Sequence, residues 1–154
     1  MNSEALYAIE PVRILHVDAI REIAAQSFPL LWSEKEFAYF LCHEHRLALG
    51  YFTPSATGPR LRGYFLALLV QGDLDIISIA TAPSDRRLGI GSTLLQAALK
   101  SPGVDRAFLE VEVDNTAAIG LYASNGFERL GRRPAYYGPG RDAFLMRWGR
   151  ELSR

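Results

Sequence analysis

A single cysteine, Cys42, stands in the 154 residues. No disulfide can therefore close within the chain, and a reducing compartment is predicted. There is no net charge either: 17 Lys and Arg balance 17 Asp and Glu, so the chain-wide basic field of a nucleic-acid binder is missing. Long apolar runs are absent. The most apolar stretch, GYFLALLV at 63–70, is far short of the ~20 residues a membrane helix needs. The opening MNSEALYAIEP carries acids and no apolar run, and does not read as a signal peptide. Histidine is scarce. Cys42, His43 and His45 crowd together in CHEH (42–45), but His16 is the only other histidine, and a tetrahedral zinc site needs four placed ligands, so no metal is expected. These absences predict a soluble cytoplasmic protein, with no nucleic acid or membrane as direct partner. No repeat or low-complexity linker divides the chain, and 1–154 reads as one domain.

What is present is a mixed α/β pattern. Helices are predicted over 16–28, with Ile20, Ile23, Ala24 and Phe28 at helical spacing, and over 33–41, opened by a Ser33/Glu36 capping box. Strands follow at 45–52, 61–70 and 74–80, the last two joined tightly through QGD. A helix over 90–100 buries Ile90, Leu94, Leu95, Ala98 and Leu99. Then come a strand at 106–113, a helix from Asn115 closed by Asn125-Gly126, and a closing pair of strands at 127–133 and 142–148. From Arg129 onward seven arginines face only Asp142 and Glu151. A solvated basic face is the simplest reading of that run.

The stretch RRLGIGSTLL (86–95) places two glycines and two arginines at the mouth of a helix. Free amides and the positive end of the helix dipole meet there, and Gly89 and Gly91 leave an oxyanion room to approach. A G-x-G at a helix start is equally compatible with a plain tight turn. The Walker lysine and the three-glycine dinucleotide fingerprint are both missing, which counts against a nucleotide-binding module.

The stretch RRLGIG after the strand LDIISIA resembles the acetyl-CoA loop, Q/R-x-x-G-x-G/A, of the GCN5-related N-acetyltransferases (GNAT). FLEVEVDNTAAIGLYASNGF (108–127) is similar to that family's strand, Asn-led helix and Tyr. SFPLLWSEKEF (27–37) and RRPAYYGPGRDAFLM (132–146) resemble segments of its RimI branch, which acetylates the N-terminal alanine of a small-subunit ribosomal protein. The resemblance implies a mixed central sheet with a splayed parallel strand pair flanked by helices, and acetyl-CoA as cosubstrate. It also implies that main chain around Ile79, Ala80 and Thr81 meets the pantetheine. No side chain names an oxyanion donor; a backbone amide beside the splay, such as that of Thr81, is the natural candidate. Arg86, Arg87, Leu88, Gly89, Ile90, Gly91 and Ser92 would surround the pyrophosphate, and Asn115 would touch the pantetheine. Two departures fall on the acceptor side: Pro134-Ala135 before Tyr136-Tyr137, and EVEVDN where the branch has a basic residue after EV.

Acetyl transfer to an amine needs a proton acceptor, an oxyanion donor and a proton for the leaving thiolate. Strand alternation sets Phe108, Glu110 and Glu112 on one side and Leu109, Val111 and Val113 on the other. Two carboxylates on one face are most simply a solvated edge or salt-bridge partners. The resemblance makes Glu110 the general base and leaves Glu112 as holder of the amine or like-charge neighbour. A carboxylate suits an α-amine, about a tenth of which is already neutral at pH 7. Tyr122 reads as core packing by pattern and as general acid by resemblance. Trp32, Tyr136 and Tyr137 would line the acceptor entrance, with ordinary aromatic packing as their plain alternative. The resemblance thus points to a monomeric or weakly dimeric acetyltransferase acting on a protein N-terminus. The same fold acetylating a lysine or small amine, and a CoA-binding module without activity, remain as alternatives.

Overall fold

The computed structural model describes residues 6–28 and 31–153. Residues 1–5, on which part of the signal-peptide reading rests, lie outside them, as do Pro29, Leu30 and Arg154. Strand β1 (Ala8–Pro11) is followed by helices α1 (Val17–Ala25) and α2 (Glu34–Leu41), then by strands β2 (Arg46–Thr53), β3 (Arg60–Val70) and β4 (Asp73–Thr81). Helix α3 (Ile90–Leu99), strand β5 (Arg106–Glu112), helix α4 (Thr116–Ser124) and strands β6 (Glu128–Arg133) and β7 (Ala143–Gly149) complete the order. The strands form one sheet, β1-β2-β3-β4-β5-β7-β6.

Local chemistry accounts for most of these elements. Ser33 caps α2 as its spacing to Glu36 predicts: its hydroxyl accepts the Glu36 amide at 3.2 Å, and the Glu36 carboxylate accepts the Ser33 amide at 2.6 Å. The β3–β4 turn places both Gln71 (φ 51°) and Gly72 (φ 88°) at positive φ, the mirror-image turn that two-residue hairpins favour. The expected stripe of α3 is buried in full, and the helix seats on β3 at Gly63, where an added Cβ would come within 2.9 Å of Ile90. One apolar layer under α3 and α4 includes Leu94, Leu109, Tyr122 and Met146. A second layer, under α1 and α2, includes Ile20, Phe37, Tyr64 and Leu66.

Two expectations are corrected, and one strand is added. Helix α1 ends at Ala25, so Phe28 lies beyond it and is 37% exposed. Strand β1 was not foreseen, because AIEP is a short edge segment with a proline and no buried alternation. Val113 follows β5 and donates its amide to the Asp142 carbonyl at 3.0 Å.

The sheet's one parallel pair is where it opens. β4 and β5 pair only from Asp73/Arg106 to Asp75/Phe108, although β4 runs on to Thr81 and β5 to Glu112. At the point of divergence the β3–β4 register slips between Ser78 and Ile76, leaving Ile77 as a bulge. A bulge bends and twists its strand, here coinciding with the separation of β4 from β5.

Candidate active site

The opening between β4 and β5 leads into a cavity of about 1030 Å³, walled by both strands, the N-termini of α3 and α4, and the segment after α1. Ile79, Ala80, Thr81, Arg86, Arg87, Gly89, Ile90, Gly91, Ser92, Asn115, Tyr122, Glu110, Glu112, Trp32 and Tyr137 all line it. Leu88 does not; its side chain is 71% exposed. Tyr136 stands outside the wall and meets Tyr137 edge-on, with ring centroids 4.9 Å apart.

One end of the cavity is made of backbone. The Ala82 amide donates to the Arg62 carbonyl of β3 at 2.8 Å. Amides along a strand alternate in direction, so Ile79 and Thr81 turn their peptide groups to the opposite side, where β5 has diverged. Helix α3 begins without a side-chain cap, and its first intrahelical amide bond is Thr93 to Gly89. The amides of Ile90, Gly91 and Ser92 are thus the free donors of a helix N-terminus. Gly89 sits at φ +79° and Arg87 at φ +67°. Left-handed residues alternating with others along a turn point successive main-chain amides toward a common concavity, a geometry suited to an anion. Gly91 allows close packing of α4, since an added Cβ would lie 3.4 Å from Leu121. Arg86 is tied to the opposite wall: its guanidinium donates to the Gln26 carbonyl and the Ser27 hydroxyl, both at 3.1 Å.

The other end is made of side chains. Glu110 and Glu112 reach it from alternate positions of β5, each partly buried, at 21% and 27% exposed. Arg133 stands 3.6 Å from the Glu110 carboxylate. Arg141 grips Glu112 with two parallel bonds, Nε to Oε1 at 2.9 Å and Nη2 to Oε2 at 2.8 Å. This pairing holds the Glu112 carboxyl below the ordinary range and raises Arg141 in turn. The Tyr137 hydroxyl donates to the Glu110 carbonyl at 3.1 Å, and burial pushes that phenol up to about 12.

Between the two ends lies Tyr122. Its ring packs against Phe127 and is 6% exposed, and its hydroxyl has no hydrogen-bond partner among the described residues. Burial raises its pKa well above that of a free phenol, so it stays protonated at neutral pH. Asn115 caps α4 by accepting the Ala118 amide at 3.2 Å. Trp32 lines the cavity while packing on Phe37 and Phe40.

The basic run from Arg129 is largely consumed locally. Arg132 pairs with Asp142, Arg133 with Glu110, Arg141 with Glu112 and Arg147 with Glu151. Sequence reading missed the pairs that reach β5 because their partners are far apart; Arg141 and Glu112 are separated by 29 residues. It also missed Gln26, Ser27, Leu31 and Ile77 as cavity wall, since no motif marks them. In CHEH, the His45 amide donates to His43 Nδ1 at 3.1 Å, and Cys42 is exposed. No group of three or more potential metal ligands forms among the described residues.

A parallel strand pair parted beside an uncapped helix, with a phenol and a carboxylate at the far end, gives a cavity with main-chain donors at one end and proton-transferring groups at the other. The chain belongs to the acetyltransferase (GNAT) family, whose model matches residues 17–127. It is 33% identical over 153 residues to an N-alpha-acetyltransferase of Sulfurisphaera tokodaii, covering 91% of each chain. It is 34% identical over 152 residues to the N-alpha-acetyltransferase RimI of Mycobacterium tuberculosis, covering 90% of this chain and 92% of that one. Among solved structures, the ribosomal-protein-S18-alanine N-acetyltransferase from Escherichia coli is similar at a TM-score of 0.82 and 28% identity, over 94% of both chains. The chain is an N-acetyltransferase, and acetyl-CoA is its cosubstrate.

Proposed function

We propose that the chain moves the acetyl group of acetyl-CoA directly to the N-terminal α-amine of a protein, with both substrates bound together. The observation that carries this reading is the cavity itself: one continuous space joins the bare N-terminus of α3 to Glu110 and Tyr137. Cys42, the chain's sole cysteine, is not part of its wall, so no thiol stands ready to carry the acetyl group.

In this reading Glu110 accepts the proton of the incoming ammonium, through water. The neutral nitrogen then attacks the thioester carbonyl; the N–C bond forms as the carbonyl becomes an oxyanion, and collapse of that oxyanion breaks the C–S bond. The Thr81 amide, facing the opening, donates to the oxyanion. Tyr122, held protonated by burial, gives its proton to the departing thiolate, and the second proton that the nitrogen sheds on becoming an amide restores the phenol. Holding both reactants in one cavity supplies much of the rate. The pyrophosphate rests on the free amides at Gly89–Ser92, with Arg87 beside it, and Ile79, Thr81 and Asn115 hold the pantetheine.

The acceptor in this reading is a protein N-terminus met in the cytoplasm, an N-terminal alanine of a ribosomal protein like the one for which the Escherichia coli enzyme is named. No helix among the described residues is long and apolar enough to cross a membrane. The test is thiol release from acetyl-CoA with one peptide in two forms, free or blocked at an N-terminal alanine and carrying an internal lysine. Release with the free form only is expected. Release with both points to lysine, and release with neither, while acetyl-CoA still binds, moves the weight to a metabolite amine or to a binding module.

A further inference from the structure

We propose that Glu112 and Arg141 form a positioning pair that holds the acceptor wall in place, and that Glu112 does not itself receive the acceptor amine. The inference rests on the N-terminal acetyltransfer reading above. Both Glu112 oxygens are taken by the same guanidinium, at 2.9 and 2.8 Å. The fork geometry fixes orientation as well as distance. An incoming ammonium would have to displace Arg141 to reach that carboxylate.

What the pair secures is the β6–β7 connection. Arg141 Nη1 donates to the Tyr137 carbonyl at 3.3 Å, and the Tyr137 amide donates to the Arg141 carbonyl at 3.1 Å. The guanidinium also lies 5.8 Å from the centre of the Tyr137 ring. Tyr137 in turn ties its hydroxyl to the main chain of Glu110 at 3.1 Å. A chain of contacts thus runs from Glu112 through Arg141 and Tyr137 back to Glu110 on the same strand. It closes a ring around a turn that carries Gly138 at φ +129° and Gly140 at φ +71°, whose near end Asp142 also fastens by accepting the Ala135 amide at 2.8 Å. Glu112 stands where the resembling branch carries a basic residue, so a carboxylate here needs its own cation, and Arg141 is that cation.

The test is a double-mutant cycle with Glu112→Gln, Arg141→Gln and the combination, read in two ways. The first is hydrogen exchange at the Tyr137 amide. The second is steady-state kinetics with a free-N-terminus peptide. The pair predicts that each single variant speeds exchange and raises the peptide KM by about tenfold, and that the double variant is no worse than either single. The KM for acetyl-CoA should not move. If Glu112 received the amine directly, Glu112→Gln alone would raise the peptide KM, while Arg141→Gln would leave it unchanged or lower it. That outcome, or additive losses in the double variant, overturns the proposal. Should the wild-type chain not acetylate the free peptide, the N-terminal reading fails, and the exchange arm still decides whether the pair holds the wall.

Discussion

The two ends of the cavity are built from different materials. At the α3 end the donors are main-chain amides, placed by a helix start and by two residues at positive φ, Arg87 and Gly89. At the β5 end the working groups are carboxylates, guanidiniums and phenols, placed by ion pairs and hydrogen bonds between distant segments. A backbone site depends on conformation and tolerates changes of side chain that keep it. A side-chain site fails atom by atom. The difference predicts that substitutions at one end change binding of the cosubstrate, and at the other the rate or acceptor use.

The largest separation is expected from Glu110→Gln. Removing the base should lower kcat at neutral pH by about 10²–10³-fold, with acetyl-CoA affinity by calorimetry nearly unchanged. Tyr122→Phe should follow, with roughly a 10–100-fold loss in kcat and little effect on affinity. If affinity fell and kcat did not, Tyr122 would be a binding surface and the contrast would weaken at its midpoint.

The converse experiment is Gly89→Val. An added Cβ meets nothing within 4 Å, so space is not the obstacle; the φ of +79° is. A left-handed residue with a Cβ costs about 1–2 kcal/mol, and acetyl-CoA affinity should weaken by roughly tenfold while kcat at saturation holds. A fall in kcat alone would show that the loop does more than bind.

The smallest effect concerns the shared wall. Tyr64 is fully buried, hydrogen-bonded to Ser78 at 2.9 Å, and pushed up to about 12 by burial. Its folded value lies above the ~10 of an unfolded tyrosine. Its contribution to stability is therefore complete below about pH 10 and is lost as pH rises toward 12. Denaturant midpoints between pH 9 and 11 should fall for the wild type and fall less steeply for Tyr64→Phe. Parallel slopes would remove Tyr64 from that account.

The same contrast explains what could be read before the structure. The capping box of α2, the buried stripe of α3 and the glycine loop are each contained in about ten consecutive residues, and each appears as expected. Strand alternation set Glu110 and Glu112 on one face, as observed. The bidentate grip of Arg141, the Tyr137 bond to Glu110 and the bulge at Ile77 were illegible, because each depends on which segments the sheet brings together. Arg86 lines the cavity as the local motif suggests, but its bonds to Gln26 and Ser27 depend on the fold and were not legible.

The most direct measurement is the pH dependence of kcat for the wild type and Glu110→Gln with one free-N-terminus peptide. If Glu110 removes the proton, the variant's deficit is greatest near pH 6–7. It should shrink as pH passes the α-amine's own pKa near ~8 and the acceptor arrives already neutral. A constant ratio of the two rates across that range would contradict the role of Glu110 as base and, with it, the division of the cavity drawn here.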